Sequence, residues 1–134
     1  MRLYIAAKFH SDNRNRPLIE AIADTLKGAG MESVSVVRDY ERWGRVALTA
    51  ENLMAITFRE LARCDAIVID ISEKGVGLGI EAGFGFARGM PILVLAQADR
   101  EIPKTLSGIA RTIAHYDGLE GVPAALGRAL RVLG

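Results

Sequence analysis

The chain has 134 residues and a formal net charge of +1, from 17 Lys and Arg against 16 Asp and Glu. This length predicts a single domain over residues 1–134, and the balanced charge argues against a nucleic acid polymer as partner. The longest apolar runs, at 66–69 and 91–96, are too short to cross a bilayer, so we expect no membrane partner. Because Cys64 is the only cysteine and no secretory leader pattern opens the chain, we expect a cytoplasmic protein.

The first half of the chain predicts alternating strands and helices. Residues 3–7 form a short apolar run that is typical of a buried strand, and a helical stripe begins near Pro17. A second strand is predicted at 34–37, and the charged segment at 38–48 is interpreted as a long functional loop. Thr49 is a suitable N-cap for the helix that follows.

The second half continues the alternation. A continuous β-branched run predicts the clearest strand of the chain, and a glycine-rich turn and a helix follow it. The remaining segments predict two more strands and two more helices. In chain order these elements are a strand at 66–71, a helix to about residue 88, a strand at 91–95, a short helix at 103–111, a strand at 112–115 and a helix at 123–133.

This order predicts a three-layer α/β fold of the flavodoxin-like or Rossmann-like type. We expect a five-stranded parallel sheet in the order 2-1-3-4-5 with helices on both faces. Ligands of such sheets bind beyond the carboxyl ends of the strands, at the switch point between strands 1 and 3. The segments 8–15 and 72–81 are therefore the candidate site.

Glycine is concentrated in the second of these segments, since six of the 14 glycines lie between Gly75 and Gly89. Gly75, Gly77 and Gly79 would let backbone N–H groups approach a phosphate or a sugar. Glu81 lies near the start of the predicted helix, where an ionised carboxylate is favoured and can serve as a nucleophile or stabilise a cationic sugar. The alternative is that Glu81 only stabilises the first helical turn.

No cofactor is expected. The segment from 77 to 82 formally matches a dinucleotide-binding fingerprint, but it follows the third strand instead of the first and lacks the tight turn. No spacing of His, Cys and carboxylate residues suggests a metal.

The glycine segment and its neighbours resemble the nucleoside 2-deoxyribosyltransferase superfamily, and within it the 2'-deoxynucleoside 5'-phosphate N-hydrolases. In that family an apolar strand, a G-x-G-x-E-x-G turn and a G-K-P-I strand recur in this order. Here Met90 stands where lysine is usual, and Ala7 replaces a typical glycine after the first strand. The resemblance covers roughly residues 4–117 and is carried by residues 4–7, 65–70, 77–83 and 89–93.

The resemblance implies that Glu81 is the catalytic glutamate, which attacks or electrostatically supports the anomeric carbon as the nucleobase leaves. It also implies that Tyr4 lines the sugar pocket, and we expect Ala6 on the same strand to contact the substrate. Attack by water would give the free base and (deoxy)ribose 5-phosphate. Attack by a second base would make the protein a transferase, and this alternative stays open.

The resemblance further implies a site for a 5'-phosphate. In the hydrolases a serine and an arginine after the first strand, a serine in the glycine turn and a serine from the neighbouring subunit surround this group. Lys8 and His10 occupy the first two places, Gly75 the third, and Ser107 matches the fourth. We therefore expect a nucleoside monophosphate as substrate and a homodimer in which Ser107 reaches across. The alternative for Lys8 and His10 is that they are incidental loop residues.

One departure concerns an aspartate that the family usually carries on the helix before the third strand. Thr57 stands in its place, and the helical stripe predicts that Thr57 faces inward. Asp39, Glu60 and Asp70 are the candidates to substitute for it. We prefer Asp70 as the second catalytic residue, because it ends a buried strand at the active edge of the sheet.

Aromatic residues lie in the predicted loop after strand 2. Trp43, together with Tyr40, could stack on a nucleobase, and the alternative is that Trp43 packs against the following helix. A third functional class also remains, namely a non-catalytic nucleotide-binding or sensor domain. Thr57 and Gly75 are the departures that favour it.

Overall fold

The computed structural model describes all 134 residues and has one five-stranded parallel sheet. The strand order is β2-β1-β3-β4-β5, which confirms the predicted topology. Neighbouring strands are parallel throughout, and Tyr4 of β1 is in register with both Val34 and Ile67. The strands are β1 (Arg2–Ala6), β2 (Glu32–Val34), β3 (Ala66–Asp70), β4 (Ile92–Gln97) and β5 (Thr112–Tyr116).

Six α-helices connect and follow these strands. Thr49 caps one of them as predicted, since its side chain accepts a hydrogen bond from the Asn52 N–H at 3.1 Å. None of the helices has the length and apolar character that a membrane-spanning helix requires. The helices are α1 (Arg16–Gly28), α2 (Val36–Asp39), α3 (Ala50–Ala62), α4 (Val76–Ala87), α5 (Lys104–Ser107) and α6 (Val122–Leu130), with 3₁₀ turns at Leu119–Gly121 and Arg131–Leu133.

Alternation along the strands divides the core into two parts. On one face of the sheet, Ile67 and Ile69 pack with buried residues of α3 and α4. On the other face, Ala66 and Val68 pack with buried residues of α1 and α6. Successive side chains of a strand point to opposite faces, so the two cores together make the three layers.

The prediction of a strand at 34–37 is wrong in its boundaries. Strand β2 ends at Val34, because Ser35 starts the short helix α2: its side chain accepts a hydrogen bond from the Arg38 N–H at 3.3 Å. The Asp39 carboxylate in turn accepts from the Ser35 N–H at 3.0 Å. The predicted loop at 38–48 therefore begins inside a helical turn.

Two glycines of α4 provide a matched test of how tightly this helix packs on the sheet. A Cβ at Gly85 would lie 2.3 Å from Ile67 Cδ1, whereas a Cβ at Gly83 meets nothing within 4 Å. We expect Gly83→Ala to raise the free energy of unfolding by about 0.5–1 kcal/mol through helix propensity. Gly85→Ala should lower it by about 1 kcal/mol, because overpacking outweighs that gain. Denaturant unfolding of both variants checks this, and equal effects would contradict the close approach.

Candidate active site

A cavity of about 390 Å³ lies at the carboxyl edge of the sheet, beside β1 and the start of α4. Its floor is the end of β1 with the residues that follow. One wall is the start of α4, and the opposite wall is built from α2, α3 and the segment between them. The lining residues are Tyr4–Phe9 and Ile19; Gly75–Leu78 and Glu81; and Ser35–Val37, Glu41, Leu53, Met54 and Thr57.

Glu81 contributes a carboxyl group to this cavity from the second turn of α4. The side chain is partly buried, and burial raises its pKa to about 7, although an interaction with the Tyr4 hydroxyl lowers it in part. A Cβ at Gly77 would lie 3.9 Å from Glu81 Oε1, so the glycine leaves that side of the carboxyl group uncovered. At neutral pH Glu81 therefore exchanges between its charged and neutral forms.

Tyr4 links Glu81 to the floor of the cavity. Its side chain is buried in the sheet, and its hydroxyl interacts with both the Glu81 carboxyl and Thr57. Burial, and then the nearby Glu81 charge, raise the pKa of Tyr4 well above its usual value, so the phenol stays protonated. The Thr57 hydroxyl also donates to the Leu53 carbonyl at 2.8 Å.

Lys8 is the only Lys, Arg or His side chain that lines the cavity, and it lies over the start of α4. A Cβ at Gly75 would be 3.3 Å from Lys8 Cδ and 3.9 Å from Lys8 Nζ, so the glycine makes room for the lysine. Gly75 is the N-cap of α4 and supplies no side-chain cap. The first N–H groups of the helix are thus free of a capping side chain, and together with Lys8 they form a corner suited to an anion.

His10 lies near this corner but does not line the cavity. Its Nε2 is 3.1 Å from Glu73 Oε2, although the geometry is not that of a hydrogen bond. The imidazole therefore has an acidic neighbour on the turn before α4, and its role as a phosphate ligand stays a prediction.

The fold does not place Asp70 in the cavity that Glu81 lines. It is 3% exposed, and its carboxylate accepts hydrogen bonds from the Tyr116 hydroxyl at 2.6 Å and the Ser72 N–H at 3.0 Å. Burial raises the pKa of Asp70, and these two hydrogen bonds oppose that effect. Since its carboxylate joins β3 to β5 and does not line the cavity, Asp70 has no place in the catalytic proposal below.

The other two carboxylates considered in place of Thr57 are also engaged elsewhere. Glu60 is buried and binds the Arg2 guanidinium at 2.6 Å and the Tyr40 hydroxyl. Asp39 pairs with Arg38 at 2.7 Å. Neither carboxylate lines the cavity, and Tyr40, whose hydroxyl donates to Glu60, does not line it either.

Three further residues with predicted binding roles lie outside the cavity. Trp43 packs against the α1 side of the sheet, where Arg16 lies 4.6 Å from its ring centroid, and not against the helix that follows it. Gly79 is exposed on α4, with nothing within 4 Å of its Cβ position. Ser107 is exposed at the end of α5.

Of the α2–α3 wall of the cavity, sequence reasoning identified only Thr57, which is buried and lines the cavity as predicted. Ser35, Val36 and Val37 follow directly after β2, so the rule that points to strand ends would have found them once β2 was ended at Val34. Glu41 carries no such signal, because it is one charge among several in its segment.

The ionisation of Glu81 predicts the pH dependence of any reaction that needs its carboxylate. Its pKa is raised to about 7, so the active anionic fraction is small at pH 5 and grows as the pH rises through 7. Tyr4→Phe removes an interaction that lowers the pKa of Glu81. The acidic limb of the plot of kcat/KM against pH should therefore move to higher pH. Rate measurements from pH 5 to 9 check this. A limb that stays in place would contradict the Tyr4–Glu81 interaction.

No protein-family model matches the chain, and no curated protein matches it. Solved structures match in fold at low identity. The CMP N-glycosidase BcmB of Clostridium botulinum has a TM-score of 0.69 at 17% identity, over 96% of this chain and 98% of its own. BlsM has a TM-score of 0.70 at 20% identity, over 99% of this chain and 94% of its own. A 2-deoxyribosyltransferase of Bacillus psychrosaccharolyticus has a TM-score of 0.67 at 13% identity, over 92% of this chain and 90% of its own. The chain thus has, along nearly its whole length, the α/β fold that these three proteins share.

Proposed function

We propose that the protein hydrolyses the N-glycosidic bond of a nucleoside 5'-monophosphate, with Glu81 as the catalytic residue. The observation that carries the proposal is the pairing of two features in one cavity. Glu81 supplies a carboxyl group that interacts with the Tyr4 phenol, and Lys8 supplies the only cation of the cavity, at the start of α4, which has no side-chain cap. A nucleotide carries a sugar for the first feature and a phosphate for the second.

Cleavage of the bond between the anomeric carbon and the base nitrogen leaves the electron pair on the base and positive charge on the sugar. The ionised Glu81 stabilises that charge, either as a nearby anion or by bonding to the carbon. Water then supplies a hydroxyl group to the carbon, and the remaining proton of the water protonates the departing base. Tyr4 stays protonated and orients the carboxylate.

The names of two proteins with this fold support the same chemistry. BcmB is a CMP N-glycosidase, and the Bacillus protein is a 2-deoxyribosyltransferase. Both names describe reactions at the glycosidic bond of a nucleotide or nucleoside. The cation at Lys8 favours the phosphorylated substrate for this chain, since a free nucleoside has no anion to place there.

We further propose that the protein is a homodimer in which Ser107 reaches the partner's phosphate site. Ser107 is exposed and does not line the cavity of its own chain. Helix α4 also leaves Val76, Ile80 and Phe86 at 84%, 44% and 55% exposure, and an apolar surface of this kind favours association. Sedimentation equilibrium should give a dimer that Phe86→Glu dissociates. A monomeric wild-type protein would contradict the proposal.

The reaction is tested by incubating the protein with deoxynucleoside and nucleoside 5'-monophosphates, and separately with free nucleosides plus an acceptor base. We expect free base from the monophosphates without an acceptor. If only free nucleosides react, and only when an acceptor base is present, the protein is a transferase. Monophosphate binding without turnover would instead indicate a nucleotide sensor.

A further inference from the structure

The cavity has a cationic corner and an acidic residue on a different wall. Lys8 lies over Gly75 at the start of α4, whereas Glu41 lines the cavity from the segment between α2 and α3. A phosphate is attracted by Lys8 and repelled by Glu41. Glu81 also lines the cavity, and the proposed function assigns it to the sugar. A nucleotide with its sugar at Glu81 and its phosphate toward Lys8 then directs its base toward the wall that carries Glu41.

Glu41 has no partner in the protein. It forms none of the ion pairs of the molecule, and burial is the only influence on its pKa, which is raised. An ionised carboxylate can only accept hydrogen bonds, and a partly buried one without donors is unfavourable. A ligand that presents a hydrogen-bond donor to Glu41 removes this cost.

The backbone fixes where Glu41 lies. Its N–H donates to the Val36 carbonyl at 3.0 Å, and its own carbonyl accepts from the N–H groups of Gly44 and Val46, each at 3.0 Å. The preceding residue, Tyr40, is anchored through its hydroxyl to a buried carboxylate of α3. Glu41 is therefore held against the cavity by its neighbours on both sides.

We propose that Glu41 selects the base by accepting a hydrogen bond from an exocyclic amino group, so that the protein prefers nucleotides whose bases carry such a group. This inference rests on the proposed function, because it assigns the base end of the same cavity. Cytosine and uracil have nearly the same size, but cytosine presents an amino donor where uracil presents a carbonyl oxygen. An anionic acceptor favours the first and repels the second.

The test compares kcat/KM for deoxycytidine and deoxyuridine 5'-monophosphates in the wild type, Glu41→Gln and the control Glu32→Gln. Glu32 is exposed at the amino end of β2, away from the cavity. We expect the wild type to favour the cytosine substrate by about tenfold or more. Glu41→Gln should reduce that ratio by about tenfold, because an amide can also donate to the uracil oxygen, and Glu32→Gln should keep it.

A wild-type ratio near one, or a ratio that Glu41→Gln leaves unchanged, would overturn the inference, even if both rates fall together. If no base is released from any monophosphate, the proposed function fails by itself. Calorimetric binding of the same two nucleotides then decides the role of Glu41. A cytosine preference that Glu41→Gln abolishes supports it, and equal affinities overturn it.

Discussion

Glu81→Gln is expected to lower kcat for base release by about 10³-fold or more, with a much smaller change in KM. The amide keeps the size of the side chain but cannot carry the negative charge that stabilises the cationic sugar. Glu81→Asp keeps the charge and should retain more activity than the amide. Steady-state kinetics with one monophosphate substrate measure all three proteins.

The same variant separates catalysis from a structural role. The folded-state pKa of Glu81 is raised from 4.5 to about 7, so ionisation of this group destabilises the folded protein increasingly between those values. The free energy of unfolding of Glu81→Gln should therefore exceed that of the wild type by about 2–3 kcal/mol at pH 8. At pH 4 the two should be nearly equal. Lost activity together with gained stability marks a functional residue.

The matched control is Glu51→Gln, which removes an exposed glutamate from the first turn of α3. The alternative that Glu81 stabilises the first helical turn is wrong, because Glu81 lies in the second turn of α4 and the first turn has no acidic residue. If Glu81 had only another structural role in its helix, both variants would be active. Such a result would contradict a catalytic role for Glu81.

Lys8→Met is expected to lower kcat/KM for monophosphates by about 10–100-fold, while any activity on free nucleosides stays unchanged. The methionine keeps the apolar stem that lies over Gly75 and removes only the ammonium group. A hydrogen bond to a charged group contributes about 1.5–3 kcal/mol, which sets this range. Lys8→Arg should retain part of the preference, since it preserves the charge.

Competition by inorganic phosphate provides a second readout for Lys8. Phosphate should inhibit the wild type and inhibit Lys8→Met much less. Equal losses with nucleosides and monophosphates would exclude Lys8 as the phosphate ligand, and would indicate that it shapes the cavity as a whole.

The sheet order could be predicted from the sequence, because its continuous apolar strands alternate with helical stripes. The β2 boundary could not, since residues 34–37, three valines and one serine, fit a short strand or a helical turn equally well. Only the hydrogen bonds of Ser35 decide between the two.

The candidate site was predictable where residues follow a strand directly. Tyr4, Lys8 and Glu81 line one cavity, because β1 and β3 are neighbours and both end at the same edge. Asp70 shares a face of β3 with Ala66 and Val68, so strand alternation places it on the face of the sheet opposite Tyr4 and α4, and the sequence alone predicts this separation.

Loop residues were the least predictable part of the site. The path of the segment after α2 depends on long-range contacts, such as the hydrogen bond from the Asn13 side chain to the Trp43 carbonyl at 2.8 Å. This contact helps hold Trp43 toward α1, whereas the hydrogen bonds of Glu41 hold that residue at the cavity. No local pattern distinguishes two such neighbours.

The proposed reaction breaks the bond between sugar and base in a nucleoside monophosphate and depends on Glu81. The most direct measurement quantifies free base, pentose 5-phosphate and inorganic phosphate released from one monophosphate by the wild type and by Glu81→Gln. We expect equal amounts of base and pentose 5-phosphate, no inorganic phosphate, and almost no product with Glu81→Gln. Release of inorganic phosphate, or base release that Glu81→Gln leaves undiminished, would contradict it.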